Sequence, residues 1–152
     1  MIQIQWNTSS RLQKKLLQFG SHAPFPHVFW HTTGDNVGGK LIRCVVMELF
    51  ETDMAKMIKY EKVLNSDAAS IVHQVGVALA YMHSAQVQVV HLDVKPANVL
   101  WRQVDRRVVL ADFSHRETIM TNPRFSSYCT ANYRPPELWQ HTLSSFCCAD
   151  RI

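Results

Sequence analysis

No aspartate or glutamate precedes Asp35. The start of the chain therefore offers no carboxylate to pair with a lysine or to hold a metal. Glycine is scarce as well, with five residues in 152, and only Gly20 stands before Gly34. A Gly-rich loop that could cradle phosphates is thus missing near the start. The four cysteines, Cys44, Cys129, Cys147 and Cys148, show no paired spacing. That argues against a C-x-x-C zinc site and against a disulfide framework, and leaves reduced thiols inside a cell. The longest apolar run, residues 77–82, is far too short to cross a bilayer. Residues 1–6 lack a basic group followed by an apolar run, so no secretory signal is expected. These absences lead us to expect no membrane association and an intracellular protein, cytoplasmic or nuclear.

What is present suffices for one domain. Hydrophobic residues make up 47% of the chain, enough for a core. The net charge of +4 is modest. Arg11, Lys14 and Lys15 form one basic group, and Arg102, Arg106 and Arg107 another, broken by Asp105. Both read as solvated faces, so no nucleic-acid partner is expected.

The stretch His91-Leu92-Asp93-Val94-Lys95-Pro96-Ala97-Asn98-Val99-Leu100 carries the chemistry. Asp93 can accept a proton from a hydroxyl nucleophile. Lys95 can neutralise charge on a transferring phosphoryl group. Asn98 can hold a metal ion that bridges phosphates. Phosphoryl transfer needs these parts, because its catalysis is mostly positioning plus electrostatic stabilisation. Apolar flanks at 87–90 and 99–101 should pin this loop between short strands. Downstream lie Ala111-Asp112-Phe113-Ser114 and Thr130-Ala131-Asn132-Tyr133-Arg134-Pro135-Pro136-Glu137.

Together these resemble, in order, the catalytic loop, the D-F-G motif and the A-P-E motif of eukaryotic serine/threonine protein kinases. Tyr133-Arg134-Pro135-Pro136-Glu137-Leu138 looks most like the group of cyclin-dependent and related kinases. The resemblance implies an α+β protein-kinase-like fold: a partial small-lobe sheet plus the first half of the helical large lobe. Residues 1–152 would be one partial kinase domain. Residues 1–49 would be a small-lobe remnant, and 50–152 the hinge, catalytic loop and activation segment.

Taken in order, residues 9–19 look helical, with Ser9 or Ser10 as cap and Gly20 as stop. By resemblance this is the small-lobe regulatory helix, yet Gln13 falls where its Glu is expected. Residues 22–27 read as a proline-rich turn. Residues 28–32 and 41–49 read as two strands around a loop at 33–40. That loop fits G-x-x-x-x-G-K, but Leu41 follows where Ser or Thr is needed, so hairpin geometry is the reading rather than a P-loop. His27 and His31 lie four apart in β-rich surroundings, which argues against a helical metal pair.

By resemblance 45–50 is the hinge strand. Met47 takes the gatekeeper place, and Glu48, Leu49 and Phe50 offer backbone groups to adenine. Asp53 either reaches a ribose hydroxyl or serves as a helix N-terminal charge. A long helix should run from Ser66-Asp67 to about Ser84, burying a stripe of Ile71, Val72, Val75, Leu79 and Met82. The hydroxyl-rich stretch after Asp112 reads as a mobile segment, with Cys129-Thr130 as the wall that receives a substrate residue. Asp150 falls near the family's helix-start Asp.

The implied function is ATP- and magnesium-dependent phosphoryl transfer to serine or threonine of a protein substrate. Asp93 is the base and Lys95 the charge stabiliser. Asn98 and Asp112 are the metal ligands, and Leu100 packs beneath adenine. Two residues depart from the pattern: Leu92 stands in place of Arg, and Ser114 in place of Gly. With the Gly-rich loop, the strand Lys and the helix Glu unaccounted for, residues 1–152 alone are expected neither to hold ATP tightly nor to transfer phosphate. A regulatory partner protein is expected beside the protein substrate; the alternative function is a catalytically inactive pseudokinase or truncated product acting as a binding module.

Overall fold

The computed structural model describes residues 24–31, 35–37, 40–42, 45–60, 63–113, 117–118 and 130–134. The expected helix at 9–19, Ser114, the hydroxyl-rich stretch at 121–129, the motif residues 135–137 and Asp150 lie outside the described residues.

Four short strands come first: β1 (Val28–His31), β2 (Asp35–Val37), β3 (Lys40–Ile42) and β4 (Val45–Met47). β1 pairs antiparallel with β4, with Val28 opposite Met47 and an irregularity before Trp30. β2 pairs with β3 instead, with Val37 opposite Lys40. The expected single strand at 41–49 is therefore two strands with different partners. The expected loop at 33–40 contains strand β2 and the first residue of β3. Gly38-Gly39 between them agrees with a two-residue hairpin connection.

Next come β5 (Thr52–Asp53), helix α1 (Met54–Lys59) and helix α2 (Asn65–His83). Asp53 caps α1, its carboxylate accepting from the Lys56 N–H at 3.0 Å. Helix α2 matches the expected span. Asp67 in its first turn and His83 in its last suit the helix dipole. Ile71, Val75, Ala78, Leu79 and Met82 are buried on one face. Burying each such side chain contributes on the order of 1.5–3 kcal/mol. Val72 departs from the expected stripe and is 54% exposed. One residue past Ile71, it is rotated by about 100° off the buried face at 3.6 residues per turn.

After α2, β6 (Val89–Val90) leads into residues 91–95, a 3-10 turn (Pro96–Asn98), then β7 (Val99–Arg102) and β8 (Arg107–Leu110). β5, β7 and β8 form one antiparallel sheet in that order. β6 pairs with β9 (Glu117–Thr118), placing Val90 opposite Glu117. The core joins Phe25, Met54 and Met57 to the α2 stripe, Val87, Val89, Val99, Trp101, Val108, Leu110 and Phe113. Among the described residues no helix is long and apolar enough to cross a membrane.

The second basic group is not simply a solvated face. Arg107 reaches Glu48 at 2.9 Å with its side chain only 11% exposed, and Arg102 reaches the same carboxylate at 3.2 Å. Arg106 alone projects outward, where it pairs with Asp67. Register explains this: Arg102 and Arg107 are cross-strand partners and share a face, while Arg106 lies in the turn between them.

Candidate active site

Two strand ends hold the loop 91–98. Val89 and Val90 are buried on one side, Val99 and Trp101 on the other. Pro96 opens the 3-10 turn, where its fixed φ fits and its missing N–H costs nothing. The turn closes with the Asn98 N–H on the Lys95 carbonyl at 2.9 Å. The Asn98 carbonyl in turn accepts the Ala111 N–H at 2.9 Å. That bond sets Asn98 against the residue that precedes Asp112.

Asp93 is 3% exposed and lies at the centre of the polar network. Its Oδ1 accepts the Thr130 N–H at 3.0 Å and the Thr130 hydroxyl at 2.5 Å. Its Oδ2 accepts from Lys95 Nζ at 2.7 Å and from Asn98 Nδ2 at 3.1 Å. Asn98 Nδ2 also donates to the Asp93 carbonyl at 2.7 Å. Burial pushes the Asp93 pKa up, but the bonds from Lys95 and Thr130 outweigh it and hold the group at about 2. Asp93 is therefore a carboxylate at every physiological pH. Lys95 Nζ completes a triangle by donating to the Thr130 hydroxyl at 2.7 Å.

His91 is fully buried and ties the loop to the following motif. Its Nε2–H donates to the Ala111 carbonyl at 2.9 Å, and its Nδ1 accepts the Asp93 N–H at 3.3 Å. These roles fix a neutral imidazole with the proton on Nε2. The His91 ring lies 5.1 Å from that of Phe113, which meets Phe25 edge-on at 5.4 Å. Leu92 (φ 68°) and Asp112 (φ 61°) both take the left-handed conformation. Asp tolerates it through local hydrogen bonding. For Leu it costs about 1–2 kcal/mol, which burial at 1% exposure helps offset.

Residues 32–146 match the family described as the protein kinase domain. The chain belongs to the protein kinase family. Among its relatives, the serine/threonine-protein kinase gskl-1 of Caenorhabditis elegans is 32% identical over 109 residues, covering 68% of this chain and 29% of that protein. Mitogen-activated protein kinase 5 of Arabidopsis thaliana is 32% identical over 96 residues, covering 62% of this chain and 25% of that protein. Mitogen-activated protein kinase mpk-1 of C. elegans is 33% identical over 98 residues, covering 62% and 22%. The kinase chain thus spans less than a third of the length of these relatives.

The kinase loop brings Asp93, Lys95 and Asn98 into direct contact, with Asp112 adjoining through the Asn98–Ala111 bond. Asp53 and Leu100 meet as register partners of β5 and β7. Met47 is buried at the end of β4. Glu48 spends its N–H on the His27 carbonyl at 2.9 Å, Leu49 is exposed, and Phe50 is buried. Asp53 sits at the helix start as its N-cap, and its second oxygen pairs with Lys56 Nζ at 2.8 Å. Two roles went unread in the sequence. The contact of Thr130 with Asp93 spans 37 residues, and the only local signal was a Thr opening the Thr130–Glu137 motif. His91 headed the loop, but its acceptor lies 20 residues away.

Proposed function

We propose that the protein transfers the γ-phosphoryl group of ATP to serine or threonine hydroxyls of a protein substrate. The observation that carries this reading is Asp93, buried, held ionised by Lys95 and Thr130, and hydrogen-bonded by Asn98. A carboxylate with a pKa of about 2 is a weak base. In a loose, metaphosphate-like transition state the hydroxyl needs orientation more than early deprotonation, so a weak but fixed acceptor suits the task. Thr130, Lys95 and Asn98 fill the roughly four acceptor directions of the carboxylate. An incoming hydroxyl must displace one of them. Lys95 is the partner to release, since a transferring phosphate draws it away and its charge then stabilises the transferred group.

Asn98 and Asp112 would hold magnesium, which would supply positive charge to neutralise the phosphates. The donor set fits. Asn98 commits its Nδ2 to Asp93, leaving the amide oxygen as the remaining ligand, and Asp112 adds carboxylate oxygens. Among the described residues no group of three or more His, Cys, Asp or Glu side chains could form a metal cage. A two-oxygen site suits a hard cation that takes its other ligands from phosphate and water. Adenine would lie against Met47 and over Leu100, read by the backbone of Glu48, Leu49 and Phe50, with Asp53 beside the ribose. The division into a small-lobe remnant at 1–49 and a large-lobe part at 50–152 belongs to this same proposal. The test is label transfer from γ-labelled Mg-ATP to Ser/Thr peptides by the full-length protein. Transfer lost on Asp93→Asn supports the reading, and transfer unaffected by it overturns the assignment of the base.

A further inference from the structure

We propose that Arg102 and Arg107 of the β7–β8 hairpin are positioning residues for the nucleotide, acting through Glu48 and Phe50. This rests on the reading that the backbone of residues 48–50 receives adenine. Neither arginine belongs to the catalytic loop, and each was expected to be solvated. Arg107 Nη1 lies 2.9 Å from Glu48 Oε1 and 3.0 Å from Oε2. Arg102 Nη1 lies 3.2 Å from Oε2. The side chains of Glu48, Arg107 and Arg102 are 13%, 11% and 24% exposed, so solvent screens these pairs little.

The same residues hold the hinge from other directions. Glu48 Oε1 accepts the His27 N–H at 3.0 Å, while the Glu48 N–H donates to the His27 carbonyl at 2.9 Å. Arg107 Nη2 donates to the Phe25 carbonyl at 3.2 Å. The Phe50 ring is 3% exposed and lies under both guanidinium groups, at 5.5 Å from Arg102 and 5.9 Å from Arg107. One residue on, Glu51 accepts the Gln103 N–H at 2.6 Å. Residues 48, 50 and 51 are thus all fastened to one hairpin, whereas Leu49 between them is 60% exposed.

A base read by backbone groups gains affinity only if that backbone is already in place, because ordering it on binding would consume binding free energy. The β7–β8 hairpin supplies this order from outside the site. Losing it should weaken nucleotide binding and leave the loop around Asp93 unaltered.

The experiment uses the full-length protein and its Arg107→Met, Arg107→Lys and Arg102→Met forms. A fluorescent ATP analogue with magnesium gives Kd, peptide phosphorylation gives kcat and KM, and amide hydrogen exchange reports on residues 45–53 and on α2. Arg107→Met should raise Kd and the KM for ATP about tenfold or more while kcat stays within about threefold. Exchange should quicken at 48–53 and not in α2, and Arg107→Lys should recover part of the affinity. If Arg107→Met loses its cooperative melt, Arg107→Lys and Arg102→Met are judged by the same split between KM and kcat. An unchanged Kd in these forms, or a loss of kcat with KM unmoved, overturns the proposal. Failure of the unaltered protein to bind nucleotide is seen before any variant is made; it overturns the function reading and this inference with it.

Discussion

The catalytic loop and the first strand pairs are built on opposite plans. Around Asp93 the polar side chains are buried and bonded to one another: His91, Asp93 and Asn98 are all under 9% exposed, and each has partners at 3.3 Å or closer. Around β1 and β4 the ladder is two strands wide among the described residues, and Phe29 and Trp30 are 65% and 55% exposed. An isolated strand pair is marginal in water, whereas a satisfied buried network fixes one conformation. Among the described residues, buried side-chain hydrogen bonds are thus concentrated around Asp93. The Arg107–Glu48 pair ties the end of β4 to the β7–β8 hairpin.

The largest expected effect breaks the loop at its centre. Asp93→Asn should lower turnover of the full-length protein by about 10²–10⁴-fold, the usual worth of a general acid–base group. Steady-state label transfer checks this, and an unchanged rate would remove Asp93 from the mechanism.

Next in size is the loop's dependence on pH. The Asp93 pKa is lowered from 3.8 to about 2 in the folded chain. A lowered carboxylate pKa stabilises the fold above the unfolded value, and that contribution disappears as pH falls from about 4 to about 2. It amounts to about 2–3 kcal/mol at neutral pH, taking about 1.4 kcal/mol per pKa unit. Thr130→Val removes the hydroxyl bond and should raise the Asp93 pKa, moving the acid loss of stability to higher pH. Denaturant titrations at pH 7 and pH 3.5 would reveal it; an identical pH dependence in both proteins would contradict the clamp.

Helix α2 sharpens the contrast within one element. Val75→Ala, at 3% exposure, should cost about 2 kcal/mol by lost burial plus cavity. Val72→Ala, at 54% exposure, should stay within about 0.5 kcal/mol. Equal losses in a thermal melt would mean that Val72 is covered in the whole protein.

The smallest expected effect concerns Leu92. An arginine there could pair with a phosphorylated residue of the following segment, but buried Leu92 has no charge to offer. Phosphatase treatment of the active protein should change turnover by less than about tenfold. A larger fall would show that phosphate is bound through some other group.

The sequence made the loop legible because its chemistry is packed into eight residues, Asp93 to Leu100, with Asp112 close behind. Helix α2 was legible from its 3.6-residue period, apart from Val72 at the stripe's edge. Pairings between distant segments were not legible. Glu48 meets Arg102 and Arg107 across 54 and 59 residues, and no local pattern distinguishes a paired arginine from a solvated one. Strands of three residues, such as β2 and β3, are too short for alternation to show.

The bond from Arg107 to the Phe25 carbonyl joins residues 82 apart. During synthesis, Phe25 leaves the ribosome long before Arg107 exists. Contacts between α2, β6, β7 and β8 close over much shorter loops and should form first. Phe25, which is 1% exposed once folded, must then wait as an exposed aromatic until the hairpin arrives. Chaperones that capture nascent apolar segments should therefore hold this chain at its N-terminal side until about residue 110 has emerged.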